Sequence, residues 1–218
     1  MNLKGKNVLV TGGTGALGGA VVQAFVDAGA NVYVPARRAV PVGANAAPAT
    51  DVANEAEVLA LFAQLPPLWA SVHVVGGFVA KPLVETTLAD VHEQYDVNFV
   101  SAFLCTREAA KQMKGRAGRI VNVAAHSGET APASMSAYAS SKAAVIALSK
   151  SAAAELRADG ILVNAIAPTT IDTPANRAAM PTANRTNWVA PAAIARTIVW
   201  LCSDDNDAVA GDVITLGA

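Results

Sequence analysis

The sequence predicts a doubly wound α/β fold, a parallel sheet with helices on both faces. Three observations carry this. Short β-branched runs alternate with longer Ala-rich stretches along the whole chain. The runs are apolar almost throughout rather than at every second position, as strands covered on both faces are. The first run passes directly into a glycine-rich turn, TGGTGALG, before the first helical stretch.

In chain order the strands are expected at 7–11 (NVLVT), 31–34 (NVYV), 73–75 (HVV), 119–124 (RIVNVA), 161–166 (ILVNAI) and 212–216 (DVITL). Helices are expected at 16–28, 55–65, 91–113, 138–159 and 192–202, where apolar residues recur at helical spacing. Two stretches carry neither pattern. The segment 37–50 contains two prolines and no helical repeat. The segment 168–190 is long for a loop, and long loops in compact domains are functional or disordered, so it is expected on the substrate side. No repeat or low-complexity linker divides the 218 residues, which are read as one domain, 1–218.

Hydrophobic residues make up 53% and charged residues 15%, enough for a large core under a lean polar surface. A surface so poor in charge points to self-association. The net charge of −1, with no basic cluster larger than Arg37-Arg38, argues against a nucleic-acid partner. Cys105 and Cys202 cannot form a disulfide framework, and no C-x-x-C spacing suggests a metal; both are read as inert buried thiols. The opening MNLKGKNVLVTGG lacks the apolar core of a signal peptide, and no apolar run reaches the length of a membrane span. A soluble cytoplasmic protein acting on a small molecule, with no membrane partner, is expected.

Gly12, Gly15 and Gly18 stand between the first strand and the first helix, with Thr14, Ala16 and Leu17 among them. Glycines there let the backbone approach a pyrophosphate, toward which the helix N-terminus directs its N–H groups. The chain is therefore read as binding a dinucleotide. At the end of the second strand, where an acid would hold the ribose of NAD, the sequence is VPARR. Ala36 offers no acid, and Arg37 and Arg38 could clamp a 2′-phosphate, so NADP(H) is expected over NAD(H).

Tyr138 and Lys142 are four residues apart and share a helix face. A nearby ammonium is expected to stabilise the phenolate and lower a tyrosine pKa from about 10, making a tuned proton donor or acceptor.

With these residues in view, the chain resembles a short-chain dehydrogenase/reductase over nearly its full length. The matching segments are TGGTGALG, Asp51-Val52, VNF around Asn98, RIVNV at 119–123, YASSK at 138–142 and VNAIAPTTIDTP at 163–174. The resemblance implies a seven-stranded parallel Rossmann sheet. It also implies a homodimer or homotetramer joined through the helices carrying Asn98 and Tyr138. It assigns catalysis to Tyr138, Lys142 and Asn98, with Asn98 kinking its helix and supporting a proton-relay water. By the same resemblance Asp51 would bond the adenine amino group beside Val52. Gly76 and Gly77 would approach the cofactor, Lys142 would bind the nicotinamide ribose, and Pro168, Ile171 and Thr173 would frame the carboxamide.

Three departures narrow the resemblance. The family's serine, thirteen residues before the tyrosine, is Ala125 here, beside Ala124. The usual N-N-A-G is replaced by VGGF at 75–78, and the middle glycine of the first loop is Ala16. These features, with the short segment after strand two and IDTPANRAAMPTANRTNW at 171–188, resemble the dihydropteridine reductase branch. That branch implies reduction of a quinonoid dihydropterin. Its animal type prefers NADH and carries an acid where Ala36 stands. Ser127 is either a partial substitute for the missing serine, touching substrate, or a turn residue. His126 lies at the mouth of the expected site, and Asn176, Arg177 and Trp188 are candidates to reach the substrate. Two other readings stay open: a general carbonyl or 3-oxoacyl reductase, and a non-catalytic NADP(H)-binding sensor.

Overall fold

The fold is taken from a computed structural model, which describes residues 1–217. Its strands are β1 (Asn7–Thr11), β2 (Asn31–Pro35), β3 (Asn45–Ala47), β4 (Ala70–His73), β5 (Gly118–Val123), β6 (Ile161–Pro168) and β7 (Val213–Leu216). They form one seven-stranded parallel sheet in the order β3-β2-β1-β4-β5-β6-β7. The helices are α1 (Ala16–Asp27), α2 (Glu55–Gln64), α3 (Leu88–Tyr95), α4 (Ser101–Met113), α5 (Ser127–Thr130), α6 (Ser136–Leu156), α7 (Pro174–Ala179) and α8 (Pro191–Cys202). The doubly wound Rossmann arrangement is as the sequence predicts. Every residue of β4, β5 and β6 is buried, which is why those runs read as continuous apolar strands rather than alternating ones.

Two apolar layers sandwich the sheet. On one face Val21, Val22 and Phe25 of α1 share a core with Ile194, Ile198 and Leu201 of α8. On the other, Leu61 and Phe62 of α2 pack with Leu104 and Met113 of α4. The chain runs outward from β1 to β3, then returns to pair β4 against the other side of β1. That reversal opens a crevice at the carboxyl ends of β1 and β4, where ligands of such sheets bind.

Besides the short α5, where the sequence predicts no helix, four elements differ from expectation. The segment 37–50 contains β3, an edge strand of Asn-Ala-Ala that has no strand signal of its own and forms by pairing with Tyr33–Pro35 of β2. β4 lies at Ala70–His73 rather than 73–75, because it ends in register with Thr11 of β1 and the apolar pattern runs on past the sheet. The helix expected over 91–113 begins earlier, at a Thr87–Asp90 capping box, and is broken by a π-helical turn at Asp96–Val100. The loop 168–190 contains α7, whose first turn is capped by the Thr173 hydroxyl and starts with Pro174.

Candidate active site

The crevice is built first by the turn after β1. Gly12 has φ +71°, and a Cβ there would sit 2.9 Å from the Val75 amide nitrogen. A Cβ on Gly18 would run into the Gly12 carbonyl. Both positions therefore need glycine for α1 to pack this close to β1 and β4. Gly15 caps α1, its own N–H donating to the Gly12 carbonyl at 3.0 Å, and no side chain caps the first turn. Open N–H groups at the start of a twelve-residue helix suit an anion such as a pyrophosphate. Arg38 donates from Nη2 to the Thr14 carbonyl at 3.3 Å, so it stands beside this turn, and Arg37 is exposed next to it. Asp51 and Val52 line a cleft of about 460 Å³ with Val75 and Val97. One Asp51 carboxylate oxygen accepts the Ala53 N–H at 3.0 Å.

A second cleft, of about 550 Å³, opens over the ends of β5 and β6. Tyr138, Lys142, Gly76, Gly77, Ala124, Ala125 and Ser127 all line it, together with Leu17 of α1. Lys142 is 4% exposed and donates from Nζ to the Val123 carbonyl at 2.9 Å. Burial pushes its ammonium down from 10.5 to about 8. Tyr138 is also displaced, but upward: burial raises the phenol above its ordinary value, and the Ser127 hydroxyl beside it pulls the other way. The lowering expected from Lys142 is not found. Its Nζ lies 6.0 Å from the Tyr138 ring centroid and is turned toward Val123.

Asn98 sits in the π-helical turn, buried. The extra residue of that turn widens the helix locally. The Asn98 side chain accepts the Gly77 N–H and donates to the Gly77 carbonyl, each at 3.1 Å, and donates to Ser141 Oγ at 3.2 Å. It therefore fixes the glycine pair after β4 against α6, the helix that carries Tyr138 and Lys142.

The profile of the short chain dehydrogenase family matches residues 6–184. This chain is a short-chain dehydrogenase. It is 32% identical to the 2,5-dichloro-2,5-cyclohexadiene-1,4-diol dehydrogenase of Sphingobium indicum, over 98% of this chain and 96% of that protein. It is 34% identical to the sorbitol dehydrogenase of Cereibacter sphaeroides, over 79% of this chain and 73% of that one. A solved short chain dehydrogenase/reductase family protein, 27% identical, superposes with a TM-score of 0.92 and covers 99% of this chain and 97% of its own. The protein is accordingly an NAD(P)-binding oxidoreductase.

In this short-chain dehydrogenase, Pro168, Ile171 and Asn176 line the same cleft as Tyr138. Asn176 is committed to the loop, donating from Nδ2 to the Ile171 carbonyl at 2.8 Å. Thr173 is not among the lining residues; its hydroxyl accepts the Asn176 N–H at 3.2 Å as the cap of α7. Trp188 does not line the cleft either, and Arg185 stacks on it, 5.5 Å from the ring centroid. Arg177 is held outside by a bidentate pair with Asp172. Residues that spacing did not single out complete the walls: Phe78, Pro132, Met135 and Met180. Phe78 is half-exposed and meets Tyr138 edge-on, centroids 4.9 Å apart at 87°. The one sequence signal for it was an aromatic residue directly after the glycine pair. Ser127 opens α5 rather than standing in a turn.

Proposed function

We propose that this short-chain dehydrogenase is an NADP(H)-preferring reductase of a conjugated ring substrate of the quinonoid dihydropterin type. The observation that carries the reading is the pair Ala124–Ala125 in the cleft wall, where a hydroxyl would otherwise face the reacting atom. Losing one such donor costs about 10²–10³ in rate where charge develops on a carbonyl oxygen. A strained, conjugated imine is easily reduced and asks less of the protein. The bound nucleotide would supply a hydride. Tyr138 holds the proton at its phenol oxygen and delivers it to the substrate. Lys142 sits behind it as a buried cation and would hold the nicotinamide ribose, Asn98 holds the Gly77 backbone in place, and Ser127 orients the phenol. Arg38, which donates to the Thr14 carbonyl, and the adjacent Arg37 would supply the 2′-phosphate contacts.

Self-association through α4 and α6 belongs to the same reading. On α4 the Phe103 ring is exposed and stacks on Phe99, centroids 6.1 Å apart, an aromatic face suited to a second copy. A monomer in sedimentation equilibrium would remove this part of the proposal.

The relatives favour one alternative, a ring-alcohol or ketone oxidoreductase, because two of them are named as dehydrogenases of polyols or cyclic diols. Steady-state turnover separates the two. Quinonoid dihydropterin is expected to be reduced faster than a panel of simple ketones, and Ala125→Ser to raise ketone turnover by about 10². No pterin turnover with either nucleotide overturns the first reading; no response of the ketones to Ala125→Ser overturns the alternative.

A further inference from the structure

His126 follows Ala125 directly and lines the cleft with Tyr138 and Ser127. Its main chain is pinned. The N–H donates to the Pro168 carbonyl at 3.0 Å, and its own carbonyl accepts the Glu129 and Thr130 N–H groups at 3.0 and 3.1 Å. The ring is held as well. Nδ1 lies 3.3 Å from Glu129 Oε2, and that oxygen also accepts the Thr215 hydroxyl of β7 at 3.0 Å. A carboxylate can only accept, so Nδ1 carries the proton. Nε2 is then the free ring atom, an acceptor in the neutral ring and a donor in the charged one. Among the described residues no other hydrogen bond reaches this imidazole.

An exposed histidine–carboxylate–hydroxyl chain of this kind contributes little to stability. What it does is fix the direction of one imidazole. Several other polar groups of the cleft are engaged, while Ser127 and Thr170 add short hydroxyls to its lining. Lys142 Nζ donates to Val123, Asn176 Nδ2 donates to Ile171, and the Thr130 hydroxyl donates to the His126 carbonyl. Phe78, Met135 and Met180 make the remaining walls apolar. The cleft thus offers apolar surfaces, a proton donor in Tyr138, short hydroxyls at Ser127 and Thr170, and a ring nitrogen whose direction a carboxylate fixes.

We propose that His126, oriented by Glu129, binds the substrate by hydrogen-bonding a second heteroatom of the ring, beyond the atom that Tyr138 protonates. Glu129 is the positioning residue. The inference rests on the reading of the cleft as a ring-reductase site, where a pterin would present the heteroatoms of its pyrimidine edge.

The test uses a matched pair of rings with NADPH, 1,2-cyclohexanedione and cyclohexanone, the second lacking the extra oxygen. His126→Ala is expected to raise KM for the dione about tenfold, the loss of one hydrogen bond, and to leave cyclohexanone within about twofold. Gln places an amide near the position of Nε2 and Asn near that of Nδ1. His126→Gln should therefore restore the dione KM, and His126→Asn should not. Glu129→Ala should raise the dione KM several-fold with kcat unchanged. Equal effects on both ketones, no effect on either, or a fall in kcat alone overturns the proposal; where turnover is too slow to give KM, the same comparison is read from the Kd of each ring in calorimetry with NADPH present. Absence of dihydropterin turnover would instead overturn the proposed function and leave this ketone readout standing.

Discussion

Lys142 carries a measurable cost. It is buried, its ammonium is pushed down from 10.5 to about 8, and desolvation is the cause. The folded pKa lies below the unfolded one, so between those values the unfolded chain binds more protons and stability rises with pH. Below pH 8 both states are charged and the burial penalty is present in full. At about 1.4 kcal/mol per pH unit, the gap corresponds to about 3 kcal/mol. Replacing Lys142 with Met removes the titration. It also leaves the Val123 carbonyl without its donor, a loss of about 1–3 kcal/mol that does not vary with pH. Urea denaturation of both proteins from pH 7 to 10.5 isolates the titrating part, because all other groups cancel in the difference. The wild type should gain about 3 kcal/mol on the variant across that range, most of it above pH 8. Oxidoreductase activity should be lost in the variant at every pH. Parallel stability profiles would refute the reasoning, since they would mean that the ammonium is not desolvated in the folded protein.

His73 gives the acid counterpart. Burial lowers it from 6.5 to about 4, against the pull of its Asn122 hydrogen bond. Stability is therefore whole above pH 6.5 and should fall by about 3 kcal/mol as pH drops to 4; His73→Gln should flatten that slope in urea titrations, and an unchanged slope counts against it. A Cβ at Gly76 would lie 2.9 Å from Asn98 Oδ1 and 3.2 Å from Lys142 Nζ. Gly76→Ala should cost about 1–3 kcal/mol in thermal unfolding and lower kcat at least tenfold, and a variant with wild-type Tm and kcat would show that the site yields freely. Arg38→Ala should raise KM for NADPH about tenfold and leave NADH within about twofold, whereas equal changes would show that the arginine does not read the 2′-phosphate.

The parts of the site legible in the sequence are those set by local spacing. The turn after β1 and the pair Tyr138–Lys142 each lie within one short segment, and the structure brings both to the same crevice. What was not legible depends on distant partners. β3 exists because β2 has an open edge. The π-helical turn inserts a single residue, which apolar periodicity over 91–113 cannot register. Phe78, Met135 and Met180 come from three loops whose meeting is a property of the fold. Thr173 matched its motif by position, yet local chemistry engages its hydroxyl as a helix cap. Tyr138 shifts upward because the phenol is buried, and Lys142, though on the same helix face by spacing, does not offset this: the Val123 carbonyl, nineteen residues away in β5, holds its ammonium.

Burial moves the two members of that pair in opposite directions, and the result bears on proton transfer both to and from the substrate. Desolvation favours the uncharged form of any group, so it raises Tyr138 and lowers Lys142. At pH 7 the phenol is protonated, while Lys142, with a pKa of about 8, remains mostly ammonium. Reduction would draw its proton from this phenol, which burial makes a weaker acid than a free tyrosine. Oxidation demands a phenolate to receive one, and the same burial opposes it, with the Ser127 hydroxyl pulling the other way. The Phe78 ring standing edge-on to Tyr138 adds apolar surface beside the phenol. The same cleft wall carries Ala124 and Ala125, which offer no hydroxyl to a developing charge, so the phenol and the Ser127 hydroxyl beside it are what this part of the site can donate.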